Sequence, residues 1–365
     1  MALNVLLAGG GTTGHVSPML AVARCLRRRD PDTGIMMLGT EAGLESRLVP
    51  AAGFELSTIP RVPMPRRPNK DLLLLPRNLA RAVSAADAAI RAHQADVVVG
   101  VGGYVSTPAY LAARRRGVPI VVHEANSRPG LANKVGAKLT DYVACAFPGT
   151  PLAKALPIGM PMRPEISQLD REVSRGGARA ALGLDPELPT VVVTGGSLGA
   201  ASLNAAFSAA APELESAGVQ VLHIAGGGKA AELAASVADL PHYHVTDYVD
   251  GMEIAYAAAD LIVCRAGAGT VSEVSAVGLP AVYVPLPIGN GEQRLNAQPF
   301  VDAGAADLVE SGKFDAGTVR SLVIPLVRDS VKLESMSRVA AARGVRDADE
   351  RLADLVMSAH LRKQN

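Results

Sequence analysis

The chain has 365 residues, of which 48% are hydrophobic, 19% charged and only 3% aromatic, with no Trp. That length suits two domains of roughly 150–200 residues rather than one. Cores that must be built from Ala, Val and Leu favour helices packed on parallel sheets. Three well-separated cysteines, Cys25, Cys145 and Cys264, argue against a disulfide framework and a zinc site, and read as buried thiols of a reducing compartment. The opening run MALNVLLAGGG lacks a basic leader, and no later stretch reaches about 18 uninterrupted apolar residues, so a soluble or peripheral protein is expected. The formal charge of +1 conceals an asymmetry: residues 1–165 carry 20 Lys and Arg against 11 Asp and Glu, the remainder 16 against 24. A basic first half points to an anionic partner there, whether phosphate, anionic lipid or nucleic acid.

In chain order the pattern is strand, glycine turn and helix, repeated. An apolar strand over Asn4–Ala8 ends in Gly9, Gly10 and Gly11, and a helix runs to about Arg29 with Ser17 as its cap and Pro18 in its first turn. Strands follow at Gly34–Gly39 and Glu55–Ile59, with a helix over Ala42–Ala52 between them. A helix over Leu79–His93 leads to a strand at Asp96–Val101 and a second glycine turn, Gly102–Gly103; Val118–His123 and Tyr142–Ala146 read as further buried strands. Residues 157–165, PIGMPMRPE, have no periodicity and form the expected linker. The alternation restarts at Thr190–Thr194, turns at Gly195–Gly196, and continues through Val219–Ile224, His244–Thr246, Leu261–Val263 and Ala281–Val284. The expected fold class is α/β, two Rossmann-like doubly wound parallel-sheet domains over residues 1–160 and 161–345, with ligands in a cleft at the carboxyl ends of the strands. A last helix over residues 346–361 suits either half.

The first turn reads GGGTTGH, and Gly9, Gly11 and Gly14 satisfy G-x-G-x-x-G, a phosphate-binding pattern that would serve NAD as readily as any other anion. A dinucleotide site gives no reason for an imidazole directly after the third Gly. At the mouth of a cleft His15 is well placed as a general base; otherwise it is a capping histidine. Further strand-ending glycine loops, Gly102–Gly103–Tyr104–Val105–Ser106 and Gly195–Gly196–Ser197–Leu198–Gly199, suggest a diphosphate held from both sides. In residues 264–280, CRAGAGTVSEVSAVGLP, a strand ends at Cys264 and a helix begins near Thr270, so that Gly267, Ala268 and Gly269 leave N–H groups bare for phosphate. Glu273 then suits ribose hydroxyls, or else serves the helix dipole. Residues 290–296, NGEQRLN, offer amides and a carboxylate that suit a pyranose. Between residues 65 and 81, Leu72, Leu73, Leu74 and Leu75 are flanked by Arg66, Arg67, Lys70, Arg77 and Arg81. Such a segment suits either a monotopic membrane contact, each cation adding about 1 kcal/mol near an anionic leaflet, or a buried helix turn with a charged rim.

These motifs in combination resemble the MurG family of peptidoglycan N-acetylglucosaminyltransferases. The resemblance spans essentially the whole chain through GGGTTGHVSP (9–18), GVGGYVSTP (100–108), HEANSRPGLANK (123–134), GGSLGA (195–200), CRAGAGTVSE (264–273), GLPAVYVP (278–285) and EQRLNA (292–297). It implies the GT-B fold and inverting transfer of GlcNAc from UDP-GlcNAc to undecaprenyl-linked lipid I, giving lipid II, with no metal and no cofactor. It also implies His15 as the base and Thr12, Thr13 and Gly14 on the donor-sugar side. Asn126 would take the GlcNAc, and Arg163 and Ser197 the nucleotide and its diphosphate. Val249 would face uracil through its backbone. Gly267, Ala268, Gly269, Thr270, Val271, Ser272 and Glu273 would hold phosphates and ribose, and Glu292 and Gln293 the sugar. Gly11, Gly103 and Tyr104 would hold the acceptor diphosphate, and Leu72–Leu75 with Arg77 would touch the membrane. The implied partners are UDP-GlcNAc, lipid I, the anionic inner leaflet at the cytoplasmic face, and other cell-wall or division proteins, but no nucleic acid. Three departures stand out: Met160 replaces the family's linker Asn, Glu292 the first of a double Gln, and Thr13 a Gly, which requires negative φ there.

Three other readings stay open at this level. One is another lipid-directed UDP-sugar transferase or a UDP-GlcNAc epimerase. The second is a nicotinamide oxidoreductase with Glu41 as its ribose acid, and the third a non-catalytic membrane scaffold.

Overall fold

The computed structural model describes residues 3–62, 70–196, 199–287 and 290–364, with the side chains of Thr13, 70–73, 363 and 364 outside the description. Ser197, Arg66 and Arg67 therefore lie outside the described residues. The chain divides into two compact units, Met1–Arg163 with Asp347–Asn365, and Pro164–Arg346.

The first unit is a seven-stranded sheet of β1 (Asn4–Ala8), β2 (Gly34–Gly39), β3 (Glu55–Thr58), β4 (Val97–Gly100), β5 (Ile120–Glu124), β6 (Tyr142–Cys145) and β7 (Ala155–Pro157), in the order β3-β2-β1-β4-β5-β6-β7 and parallel throughout. The central strands are aliphatic because both faces are covered: Val5 and Leu7 enter one apolar cluster while Leu6 and Ala8 enter another on the opposite face. The helices α1 (Thr13–Arg29), α2 (Glu45–Ala51), α3 (Lys70–Ala92), α4 (Ser106–Arg116) and α5 (Leu131–Gly136) connect the strands.

The closing helix, Ala348–Gln364, belongs to this unit. Its Leu352, Ala353, Val356 and Ala359 are buried in one cluster with Val22, Cys25 and Leu26 of α1. Its Glu350 accepts from Arg29 Nε at 2.6 Å, and Asp349 lies 3.3 Å from Arg28. Burial, together with these carboxylates, pushes the Cys25 thiol up to about 12.

The second unit repeats the plan with six strands. They are β8 (Thr190–Thr194), β9 (Gln220–Ile224), β10 (Tyr243–Thr246), β11 (Leu261–Cys264), β12 (Ala281–Tyr283) and β13 (Ala306–Leu308), ordered β10-β9-β8-β11-β12-β13 and all parallel. In each sheet the winding direction reverses once, between β1 and β4 and between β8 and β11. Such switch points leave an open crevice at the carboxyl ends of the strands, because the flanking connections leave in opposite directions.

Several expected boundaries move. Helix α1 starts directly after an extended Thr12 (φ −139°, ψ 157°), so Ser17 is not its cap and Pro18 lies inside it. Thr13 therefore opens a helix at negative φ; outside glycine, only Gln94 and Lys154 among the described residues carry positive φ. Helix α3 begins at Lys70 and runs through Pro76, where the pattern suggested a start at Leu79. The short strands β7 and β13 are too brief to show a pattern. No described helix is long and apolar enough to cross a membrane.

Because Leu352 is fully buried in the cluster between the closing helix and α1, Leu352→Ala is expected to cost about 2–5 kcal/mol of stability. Urea denaturation followed by circular dichroism should show the lower midpoint; an unchanged curve would mean the helix is dispensable to the unit.

Candidate active site

In the first unit, Ala8 pairs with Gly100 across the switch point, and each strand passes directly into a glycine turn. His15 lies in the first turn of α1; its N–H and that of Val16 both donate to Thr12 O at 3.1 Å. Its Nδ1 is 3.2 Å from Gly10 O and 3.1 Å from Thr12 Oγ1. A carbonyl only accepts, so Nδ1 carries the proton of the neutral ring and Nε2 holds the lone pair. Among the described residues Nε2 has no hydrogen-bond partner. Burial pulls the His15 pKa below its ordinary value, against the opposing pull of Glu124, Gly10 O and Glu45. The ring is thus a neutral base at neutral pH.

The second turn makes room for that ring. Gly102 and Gly103 adopt φ of +100° and +83°, the region glycine favours. A Cβ on Gly102 would stand 3.0 Å from His15 Nε2, and one on Gly103 2.7 Å from Gly10 O. Ser106 clasps the turn, its Oγ accepting from Gly102 N–H at 3.1 Å and approaching Ala8 O at 3.1 Å. Tyr104, expected at the acceptor, is half exposed at 50%. Thr12 and Gly14 are exposed, but the Gly11 N–H is not free for an anion: it donates to Glu45 Oε2 at 2.9 Å.

Asn126 sits on a loop organised by the buried Glu124. That carboxylate accepts from Asn126 N and Gly130 N at 2.9 Å and from Asn133 Nδ2 at 3.0 Å, and Tyr110 donates to Asn133 Oδ1 at 2.8 Å. The buried His123 donates from Nε2 to Gly159 O at 2.8 Å, tying the linker to β5. Met160, where the resembling family has Asn, is 3% exposed and part of the interior, and Arg163 at the end of this segment is half-buried.

In the second unit the helix Ala268–Ala276 follows β11 with Gly267 as an N-cap that offers no side chain, so it begins two residues before Thr270. Val271 N–H is bonded to Gly267 O, and the side chains of Val271 and Ser272 are buried. The cradle expected over Gly267–Ser272 thereby narrows to the amides of Ala268, Gly269 and Thr270, which have no intrahelical acceptor. Glu273 lies on the second turn, with Oε2 accepting from the buried Tyr256 hydroxyl at 2.8 Å.

Gln293, on the helix Glu292–Asp302, is fixed by one oxygen that accepts from Ala266 N at 3.2 Å and Leu286 N at 2.9 Å, which leaves its NH₂ to donate. Asn296, expected among the sugar-facing amides, is fully buried and donates to Ala266 O at 3.4 Å instead. Glu292 and Val249 are half-buried, Val249 in the irregular segment after β10.

Arg265 is the cation nearest these loops in sequence. It donates to Val284 O at 2.9 Å, Pro285 O at 3.2 Å, Ser311 Oγ at 3.0 Å and Ser202 Oγ at 3.1 Å, and burial lowers its pKa. All four partners are neutral oxygens. Sequence reasoning gave no role to Arg265, Tyr256 or Glu45, because nothing local to each shows what it meets. The nearest clue was Arg265 itself, a charge embedded in an aliphatic and small-residue run.

Comparison with known proteins identifies the family. Residues 5–145 match the glycosyltransferase family 28 N-terminal domain and residues 190–352 the family 28 C-terminal domain. The chain is 56% identical over 358 residues to a protein of Paenarthrobacter aurescens, and 55% identical over 361 residues to one of Acidothermus cellulolyticus. Both are named UDP-N-acetylglucosamine--N-acetylmuramyl-(pentapeptide) pyrophosphoryl-undecaprenol N-acetylglucosamine transferase; the matches cover 98% of this chain and 96% and 98% of the relatives. The crystal structure of Acinetobacter baumannii MurG matches with TM-score 0.79 at 29% identity, over 98% of this chain and 99% of that one. The UDP-GlcNAc 2-epimerase of Neisseria meningitidis, with TM-score 0.69 at 12% identity over 98% of this chain and all of that one, shares the fold alone. With both halves matched and such relatives along nearly its full length, the chain is a glycosyltransferase with two Rossmann-like domains of the GT-B fold, and it belongs to glycosyltransferase family 28.

Proposed function

We propose that this glycosyltransferase moves GlcNAc from UDP-GlcNAc, with inversion, to the MurNAc 4-hydroxyl of undecaprenyl-pyrophosphoryl-MurNAc-pentapeptide, making lipid II at the cytoplasmic face of the membrane. The observation that carries the reading is the neutral His15 ring, held through Nδ1 with Nε2 available as a base. Nε2 takes the proton of the acceptor hydroxyl, whose oxygen attacks C1 of GlcNAc. The bond from C1 to the diphosphate oxygen breaks, and UDP leaves with the electron pair. Charge developing on that oxygen is stabilised by the amides of Ala268, Gly269 and Thr270 at their helix N-terminus. Glu273 takes the ribose hydroxyls, Val249 faces uracil, and Arg163 and Ser197 assist at the nucleotide. Gln293, Glu292 and Asn126 read the sugar, with Thr12, Thr13 and Gly14 beside it. Gly103 and Tyr104 receive the acceptor diphosphate; Gly11 shapes that turn rather than offering its amide.

Consumption of UDP-GlcNAc should require a short-chain lipid I analogue and yield a disaccharide product. Consumption without acceptor, or release of an epimerised sugar nucleotide, would overturn the reading. His15→Ala should lower turnover by ~10²–10⁴ while leaving UDP binding intact; near-normal turnover would remove His15 from the chemistry.

The pH dependence has a definite sign. His15 must be neutral to act, and its pKa in the folded chain lies below the ordinary 6.5. The rate constant kcat/KM should therefore be level above pH 6.5 and fall on an acid limb centred below it. A limb centred above 6.5 contradicts the assignment.

Membrane contact rests on α3. Leu74 is 50% exposed and Arg77 is exposed, whereas Leu75 and Leu79 turn towards the core of the unit. Sedimentation with vesicles should show binding to anionic but not zwitterionic lipid, weakened by salt and by the double change Leu74→Glu, Arg77→Glu. Equal sedimentation of the variant would place the contact elsewhere.

A further inference from the structure

Glu45 opens helix α2 and is fully buried. Its Oε1 accepts from Thr40 N–H at 2.8 Å and Thr40 Oγ1 at 2.9 Å, and its Oε2 from Gly11 N–H at 2.9 Å. No cation pairs with it among the described residues. Gly10 and Gly43 crowd the carboxylate, and Gly39 its Cγ, so closely that a methyl group on any of them would overlap the side chain. Burial alone would raise its pKa, yet the Gly11 and Thr40 donors hold it below the ordinary carboxylate range. A buried, unpaired anion is costly to keep, and a helix-capping role would not require three glycines cleared around it.

The Gly11 N–H and the Gly10 C=O belong to one peptide unit. On one side Gly11 N–H donates to Glu45; on the other Gly10 O accepts from His15 Nδ1. That unit is planar and resists rotation, so fixing its N–H also fixes the direction of its C=O. An anion on the N–H further polarises the carbonyl and strengthens it as an acceptor. Carboxylate, peptide and imidazole therefore form one hydrogen-bonded chain. It parallels a catalytic dyad in which a carboxylate holds a histidine in its reactive tautomer, but here a backbone peptide stands between the two.

We propose that Glu45 is the positioning residue of the general base, holding His15 in the Nδ1–H tautomer through the Gly10–Gly11 peptide. This rests on His15 being the base. Glu45 from α2 and Glu124 from the end of β5 are the charged groups that reach the imidazole; Gly10 O and Thr12 Oγ1 are its neutral partners.

The test is Glu45→Gln in the full chain, assayed with UDP-GlcNAc and a short-chain lipid I analogue. The amide removes the charge and sets an NH₂ or a misaligned oxygen against Gly11 N–H. We expect kcat to fall by ~10–10², the acid limb of kcat/KM to move to lower pH, and UDP affinity, which the other unit supplies, to stay within about twofold. Nitrogen NMR of the ring should change from the single Nδ1–H form to a mixture of tautomers. Unchanged kcat, acid limb and ring spectrum, with UDP bound normally, would overturn the proposal. If Glu45→Gln fails to fold, Thr40→Val decides, since it leaves the charge but removes one of the two donors to Oε1: a smaller change of the ring spectrum in the same direction supports the proposal, and none refutes it. Near-normal turnover of His15→Ala would instead defeat the base assignment, an outcome separate from any result at Glu45.

Discussion

The His15 ring has room because two residues of another strand's turn have no side chains. Gly102 and Gly103 pass over the imidazole and the Gly10 carbonyl at separations a Cβ would close to 3.0 and 2.7 Å. This packing of turn on turn is possible because β1 and β4 are neighbours in a parallel sheet and end level, with Ala8 opposite Gly100. The switch in winding direction keeps both following helices out of the crevice. Ser106 then fixes the second turn to the end of β1, and Glu45 fixes the first from below. The ring is placed mainly by the backbone of two turns, with the Thr12 hydroxyl beside it, which makes its position a property of the sheet.

The two units arrange charge in opposite ways. Under the turns of the first lie two buried carboxylates, Glu45 and Glu124, both of which favour proton uptake by His15. Behind the loops of the second lie a bare helix N-terminus and Arg265, a cation whose partners are neutral oxygens. An anionic surrounding suits a group that must accept a proton, and a cationic one suits a diphosphate that must depart. Neither follows from bulk composition. The basic first half buries acids beneath its glycine turns, and the acidic second half holds Arg265 among neutral oxygens behind its loops.

Groups proposed to meet substrate are themselves held from behind. Glu273 accepts from a buried tyrosine, Gln293 is fixed by two amides, and the Asn126 loop hangs on Glu124. Bonds of this kind fix the Glu273 and Gln293 side chains and the Asn126 backbone in advance, so less conformational entropy is lost on binding.

The strands and the three glycine turns were legible in the sequence because both signals are local: an aliphatic run must be buried on both faces, and glycine must follow where the chain turns beneath a ligand. The linker and the candidate base emerged the same way. The start of α1 was misplaced because Ser17–Pro18 is a strong local cap signal, whereas the preceding glycine turn delivers Thr12 in the extended conformation that begins the helix at Thr13. Glu41 carried the ribose-acid suggestion, yet it is exposed, and the carboxylate buried against the first turn is Glu45, four residues on. Asn296 and Val271 looked available from their motifs and are interior. The sequence by itself thus determined the parallel α/β architecture, the glycine turns and the place of the proposed base at the first of them. Only the tertiary structure decided which face each polar group presents, which tautomer the base holds, and which unit the closing helix completes. Those depend on contacts between residues far apart in the chain, such as Gly11 with Glu45 and Cys25 with Glu350, and no local pattern encodes them.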